Sequence, residues 1–114
     1  MELCIFCKIL KKEIPGKIVT EDELSLAFED INPQAPIHIL IIPKKHYTSL
    51  IDIPEEEKSL LGHLMIKARE IAREKGLEKT GYRLVLNTGK DAGQAVFHIH
   101  LHLLGGREMG WPPG

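Results

Sequence analysis

The sequence predicts an α+β domain built on a mainly antiparallel sheet, and three observations carry that reading. Residues 97–103 alternate with the strand period, histidines at 98, 100 and 102 against Phe97, Ile99, Leu101 and Leu103. Four more short runs, 17–21, 24–29, 38–42 and 82–87, have strand character and are separated by turn residues. Between the third and fourth of these lies one long stretch of helical periodicity. No internal repeat or linker divides the 114 residues, so positions 1–114 are read as a single domain.

Taken in order, residues 4–12 place apolar side chains at 5, 6, 9 and 10, a short helical stripe that Pro15-Gly16 stops. The runs 17–21 and 24–29 meet at Asp22-Glu23, which predicts a hairpin. Residues 30–36 hold two prolines and an asparagine and form a loop. His38-Ile39-Leu40-Ile41-Ile42 is apolar without alternation, the pattern of a central strand buried on both faces, and Pro43 ends it. For the long helix, Asp52 is the expected N-cap, Pro54 a first-turn residue and Glu55 the capping-box carboxylate. Leu61, Leu64, Met65, Ala68, Ile71 and Ala72 then recur on one face, and Gly76 closes the helix. Residues 88–94 form a glycine-bearing loop that feeds the histidine strand. The tail, 105–114, is too rich in Gly and Pro for a regular element, yet carries the only tryptophan, Trp111.

Fifteen basic against sixteen acidic residues leave a formal net charge of −1, with no basic excess to follow a nucleic-acid backbone. No apolar run approaches membrane-spanning length, and residues 1–12 lack the features of a leader, so a cytoplasmic protein without membrane or nucleic-acid partners is expected. In that reducing setting two cysteines are not expected to form a structural disulfide.

The histidines carry the chemistry. Neighbouring imidazoles on one strand face start from Cα atoms roughly 6.5–7 Å apart and can meet around one phosphate or one metal ion. Neutral imidazole is a nitrogen nucleophile near pH 7, so attack on phosphorus would give a covalent phosphoryl- or nucleotidyl-histidine. His100 is the best-placed nucleophile because His98 and His102 flank it, and His102 can donate to a phosphate oxygen or to the leaving group. A metalloenzyme using His98, His100 and His102 as ligands is the competing reading, although zinc ligands usually come from more than one element. Asn87, Gly89 and Gly93 favour the phosphate, since glycine loops with free backbone N–H groups make anion-binding concavities.

The segment Gly93-Gln94-Ala95-Val96-Phe97-His98-Ile99-His100-Leu101-His102 resembles the His-φ-His-φ-His-φ-φ signature of the histidine triad (HIT) nucleotide-binding proteins. Four more stretches resemble the Hint branch: Ile14-Pro15-Gly16-Lys17-Ile18, the run from Asp30 to His38, Ile42-Pro43-Lys44-Lys45-His46, and Gly105 to Gly114. The resemblance implies a HIT-like fold with a five-stranded sheet, one long and one short helix, and a homodimer that joins two sheets. It implies hydrolysis of nucleoside 5′-phosphoramidates of the AMP–amine type through a nucleotidyl-His100 intermediate, with AMP or GMP as ligand and no catalytic metal. Ile5, Phe6, Ile9, Ile14, Phe28 and Ile31 would wall the purine, and Asp30 would accept from the ribose hydroxyls. Asn87, Gly93, the Ala95 N–H, His100 and His102 would hold the α-phosphate. His38 would sit behind His100 and tune or relay its proton, and Trp111, in the tail 105–114, would reach the partner's site. The bland alternatives are core packing for the apolar residues, a loop cap for Asp30 and a tail anchor for Trp111. His63 matches nothing catalytic.

One departure is plain. The Hint pattern has serine where this chain has Ala95, so a hydroxyl near the leaving group is missing while the backbone N–H remains. This is the sole sequence support for a nucleotide-binding interaction module with vestigial catalysis. Hydrolysis of dinucleoside polyphosphates, a chemistry of other family members, is a further alternative.

Cys4-x-x-Cys7 reads as a redox pair, as two packed thiols, or as half of a zinc site that needs two more ligands. Nothing nearby resembles a thioredoxin unit. In bacterial members of the resembled family the set is completed by histidines that correspond to His46 and His98. A structural Zn2+ on Cys4, Cys7, His46 and His98 is therefore the favoured reading, and it would free His98 from direct chemistry.

Overall fold

The computed structural model describes residues 4–114, so the first three residues of the segment read for a leader lie outside it. Two helices and five strands follow one another as α1 (Ile5–Leu10), β1 (Ile18–Glu21), β2 (Ser25–Glu29), β3 (Ile37–Pro43), α2 (Lys58–Glu74), β4 (Tyr82–Val85) and β5 (Leu101–Gly105). The strands form one sheet in the order β1-β2-β3-β5-β4, and every neighbouring pair is antiparallel. This is the predicted α+β architecture, a five-stranded antiparallel sheet with one short and one long helix. No described helix is long and apolar enough to cross a membrane.

β3 is the middle strand, and its position explains its unbroken apolar run. Ile39 and Ile41 face α2, where they pack with Ala27, Leu101, Leu103, Leu64 and Ile71. Leu40 and Ile42 face the other way and pack with Leu26, Phe28, Phe6 and Ile9 under α1. A strand covered on both faces needs apolar side chains at successive positions, which is the pattern read. Each such side chain fully buried stabilises the fold by about 1.5–3 kcal/mol.

Turn chemistry sets the edges. Asp22 Oδ1 accepts the N–H groups of Leu24 at 2.9 Å and Ser25 at 2.8 Å, closing the β1–β2 hairpin. Its Oδ2 lies 2.9 Å from His63 Nε2 and 3.3 Å from Lys67 Nζ, so α2 clamps the same turn. His63 is thus a structural tie.

The start of the long helix differs from the prediction. Asp52 ends a short 3-10 turn (Leu50–Asp52) capped by Ser49, and its carboxylate takes the Thr48 hydroxyl. Pro54 then precedes a second 3-10 turn, Glu55–Glu57, and α2 begins at Lys58 with no side-chain cap. The capping box of Asp52 and Glu55 does not form. Glu57 is held instead by Lys45 at 2.8 Å and by the Tyr47 hydroxyl at 2.7 Å, ties from the segment after β3 that no local pattern encodes. Three glutamates in that turn still favour the positive end of the helix dipole. Met65, read as a core position, is 50% exposed at the edge of an apolar groove. The other end matches: Gly76 has φ +75°, its N–H donates to the Arg73 carbonyl at 3.1 Å, and Leu77 N–H reaches the Ala72 carbonyl at 2.9 Å. That is a Schellman closure.

The histidine stretch is also shorter as a strand than its alternation predicts. Hydrogen-bonded β5 starts only at Leu101, which pairs with Ile41. Extending that register by two residues sets Pro43 opposite Ile99, and proline has no N–H to donate. Ile99 N–H bonds to the Tyr47 carbonyl at 2.8 Å instead, and the chain leaves the sheet just where His98 and His100 lie.

Candidate active site and metal centre

The three imidazoles lie on the α1 side of the sheet, with Phe6 against His98 and His100 and the His102 ring next to His100, but each makes different contacts. His98 is fully buried and turns toward α1. Its Nε2–H donates to the Pro43 carbonyl at 2.9 Å, so its Nδ1 presents a lone pair. That lone pair lies 3.4 Å from Cys4 Sγ, 3.7 Å from Cys7 Sγ and 3.1 Å from His46 Nδ1. Cys7 Sγ is 3.3 Å from His46 Nδ1. Cys4 caps α1 and Cys7 follows one turn later, so both sulfurs reach the same point.

Zinc bonds of about 2.3 Å to sulfur and about 2.0–2.1 Å to nitrogen imply tetrahedral edges of roughly 3.3–3.8 Å. The contacts quoted, 3.1–3.7 Å, match that spacing closely, and all four donor atoms lie within 4.8 Å of one another. Burial pushes the Cys7 thiol up and pushes His46 and His98 down, His98 to about 4, so both imidazoles are neutral. With a carbonyl fixing the tautomer of His98, this Cys2His2 cluster is built to coordinate a metal ion and fits a structural Zn2+. Bound there, the ion would hold two thiolates and tie α1 to the approach of β5.

His100 and His102 lie outside that cluster. His100 is 6% exposed, and its Nδ1–H donates to the His98 carbonyl at 2.7 Å. The lone pair is therefore on Nε2. Burial pushes its pKa down, which keeps the ring neutral. Phe6 stands edge-on to it with ring centres 5.1 Å apart, and the His102 ring is 4.9 Å away. His38 does not sit behind His100: its Nε2 is 2.9 Å from His102 Nδ1 and 3.5 Å from Asp30 Oδ2. The reason is register, since His38 pairs with Leu104 and Leu40 with His102, which sets His38 diagonally across from His102.

The loop after β4 spends the donors expected to be free. Gly89 N–H goes to Gln94 Oε1 at 2.9 Å and Gly93 N–H to the Lys90 carbonyl at 3.0 Å. Among the described residues the Ala95 N–H has no protein acceptor, as is also true of the Thr88, Lys90, Asp91 and Ala92 N–H groups. Buried Gln94 is the residue the sequence reading missed. Its amide also donates to Thr48 O at 2.6 Å and Val96 O at 3.1 Å, stapling the loop. Only its isolation, a lone amide between a glycine and an apolar run, marks it in the sequence.

The expected purine wall divides. Phe6, Ile9 and Phe28 belong to the core, with Ile14 packed against them. Ile5 is exposed, Ile31 is 95% exposed, and Trp111 in the tail is 84% exposed. Asp30 and Asn87 are half-buried.

Sheet and side chains together define a small α+β domain with two neighbouring imidazoles, His100 and His102, beside a cluster that can coordinate a metal ion. Comparison with known proteins makes that class specific. A family model described as the HIT domain matches residues 11–109, and the chain belongs to this family. It is 56% identical over 112 residues to a 14 kDa zinc-binding protein of Zea mays, covering 96% of this chain and 87% of that one. A HIT family hydrolase from Legionella pneumophila superposes with a TM-score of 0.95 at 54% identity, covering 97% of this chain and 99% of the other. A Zn-bound histidine triad family protein from Mycobacterium smegmatis superposes with a TM-score of 0.80 at 39% identity, covering 93% and 76%.

Proposed function

We propose that this protein hydrolyses nucleoside 5′-phosphoramidates of the AMP–amine type, with a purine nucleotide such as AMP or GMP as ligand. The observation that carries the reading is the 2.7 Å bond from His100 Nδ1 to the His98 carbonyl, which leaves Nε2 as a neutral nucleophile. Similarity to a HIT family hydrolase supports hydrolysis.

In the first step His100 Nε2 forms a bond to the α-phosphorus, the P–N bond breaks, and the amine leaves with a proton from water. His102 steadies the phosphoryl oxygens, with the Ala95 N–H and Asn87 beside it. In the second step water attacks the nucleotidyl-histidine, AMP departs, and the proton returns to solvent. Asp30 would bind the ribose hydroxyls; Ile5 and Ile31 would close over a purine, with Ile14 and the core residues Phe6, Ile9 and Phe28 beneath. No metal takes part in these steps, since the cluster's four donors are the side chains that would bind the ion.

We further propose a homodimer in the cytoplasm that joins the two sheets and brings Trp111 to the partner's site. Ala95 favours one second reading, a nucleotide-binding module with weak turnover. Rapid quench with an AMP–amine substrate, followed by weighing the protein, tests the mechanism. The expected result is a nucleotidyl adduct on the wild type and none on an inactive His100→Ala. Binding of AMP with neither adduct nor turnover favours the module, and an active His100→Ala rules out the nucleophile.

A further inference from the structure

His38, His102 and Asp30 offer a second group of donor atoms within 4.8 Å of one another. The hydrogen bonds around them point to a different use. The backbone N–H of Gln34 donates to His38 Nδ1 at 3.0 Å. A nitrogen that accepts cannot carry a proton, so a neutral His38 holds its proton on Nε2. His38 Nε2 faces His102 Nδ1 at 2.9 Å, and one proton lies between them. Gln34 places that proton on His38, which makes His102 Nδ1 the acceptor and leaves the His102 proton on Nε2. A metal ion needs the lone pair of His38 Nε2, and the Gln34 N–H removes it. The second cluster is thus the opposite of the first, where a carbonyl on His98 Nε2 frees the ligating nitrogen.

We propose that the loop between β2 and β3 is a tautomer lock for the site histidines, and that Arg107 in the C-terminal tail holds the lock in place. The loop has few ties of its own: Asn32 N–H to Asp30 Oδ1 at 2.8 Å, Gln34 Nε2 to Asn32 O at 3.1 Å, and Asp30 N–H to His38 O at 3.0 Å. Arg107 adds the outside clamp. Its Nε donates to the Gln34 carbonyl at 3.0 Å while its Nη1 donates to the Glu108 carbonyl at 2.9 Å. Gly106 lets the tail lie close, since a Cβ there would stand 2.9 Å from Pro36 Cβ. Arg107 is a positioning residue that acts through Gln34, His38 and His102 in turn. The chain of donors ends at His102 Nε2–H, and that proton is aimed away from His38, free for an anionic oxygen of the ligand class proposed above. This last clause rests on the proposed function; the tautomers themselves do not.

Long-range proton–nitrogen correlation spectra of metal-replete protein, without substrate, read the protonated nitrogen of each imidazole directly. The wild type is expected to show His38 and His102 both protonated at Nε2 and bare at Nδ1. Finding either ring protonated at Nδ1 overturns the lock. In Arg107→Ala, a change at an exposed side chain, the bare His38 Nδ1 signal is expected to lose about 10–50% of its intensity to the other tautomer, the shift that losing one ordinary hydrogen bond allows. Unchanged tautomers in that variant remove Arg107 from the proposal. Because no turnover enters, failure of the phosphoramidase reading and failure of the lock are read separately.

Discussion

At position 100 a single carbonyl decides which nitrogen carries the lone pair. That bond comes from the main chain of His98, so replacing the His98 side chain attacks the metal cluster first and the proposed nucleophile only through it. His102 makes a sharper test of electrostatics. Burial, followed by the neighbouring His100 and His38, holds it down at about 4. An unfolded histidine titrates near about 6.5, so as pH falls the unfolded chain takes up this proton first. The stability it contributes is complete above about pH 6.5 and is lost as pH falls toward 4. Urea midpoints are expected to drop across that window, and to drop less in His102→Gln; identical drops in the two proteins contradict the account.

Asp22 acts lower on the scale. Burial pushes its carboxyl up, but the N–H groups of Leu24 and Ser25, together with Lys67 and the Ser25 hydroxyl, outweigh burial and hold it well below the usual carboxylate range. Its stabilisation is present above about pH 4 and disappears only in stronger acid. Asp22→Asn is expected to cost about 1–2 kcal/mol at pH 7. Thermal melting checks this, and a cost near zero would mean that the clamp on His63 and Lys67 contributes nothing.

Among the elements, the junctions between strands and tail are the sensitive points. Gly106 has φ +92°, and a Cβ there would meet Pro36 at 2.9 Å, so Gly106→Ala combines backbone strain with a clash. A loss of about 1–3 kcal/mol is expected in denaturant melts. Gly76→Ala, where φ is +75° but a Cβ meets open space, is expected to lose only about 1 kcal/mol. Element types were legible in the sequence because burial leaves periods: two for β5, helical for α2, none for β3. Ends were less legible. The start of α2 depends on where Lys45 and Tyr47 place Glu57, and the start of β5 depends on Pro43 standing across the sheet.

For the molecule as a whole, the Cys2His2 cluster joins α1, the segment after β3 and the approach to β5 at one point. Cys4→Ala/Cys7→Ala is expected to lose its metal in elemental analysis and to melt lower, since binding energy at such a site is folding energy. Full zinc retention in that variant would exclude the cluster as the site. The proposed dimer has a natural seam in the apolar groove of Leu50, Leu61, Leu64, Met65, Leu86 and Leu101, which runs beside the chain leaving β4 at the sheet edge. Met65→Glu is expected to shift sedimentation toward the 12.8 kDa monomer. A wild type that already sediments as a monomer excludes the dimer.

By itself the sequence determined the fold class, the buried central strand and the alternating histidine stretch, each a matter of residue type and period that burial selects directly along the chain. The four donors of the metal cluster followed from the resemblance to the histidine triad proteins. Only the tertiary structure decided the other partners: His38 with His102, His63 with Asp22, and the glycine N–H groups with their own loop. A hydrogen bond depends on distances of a few tenths of an ångström between segments far apart in the chain. No local pattern carries that information, because it arises when the sheet register brings the segments together.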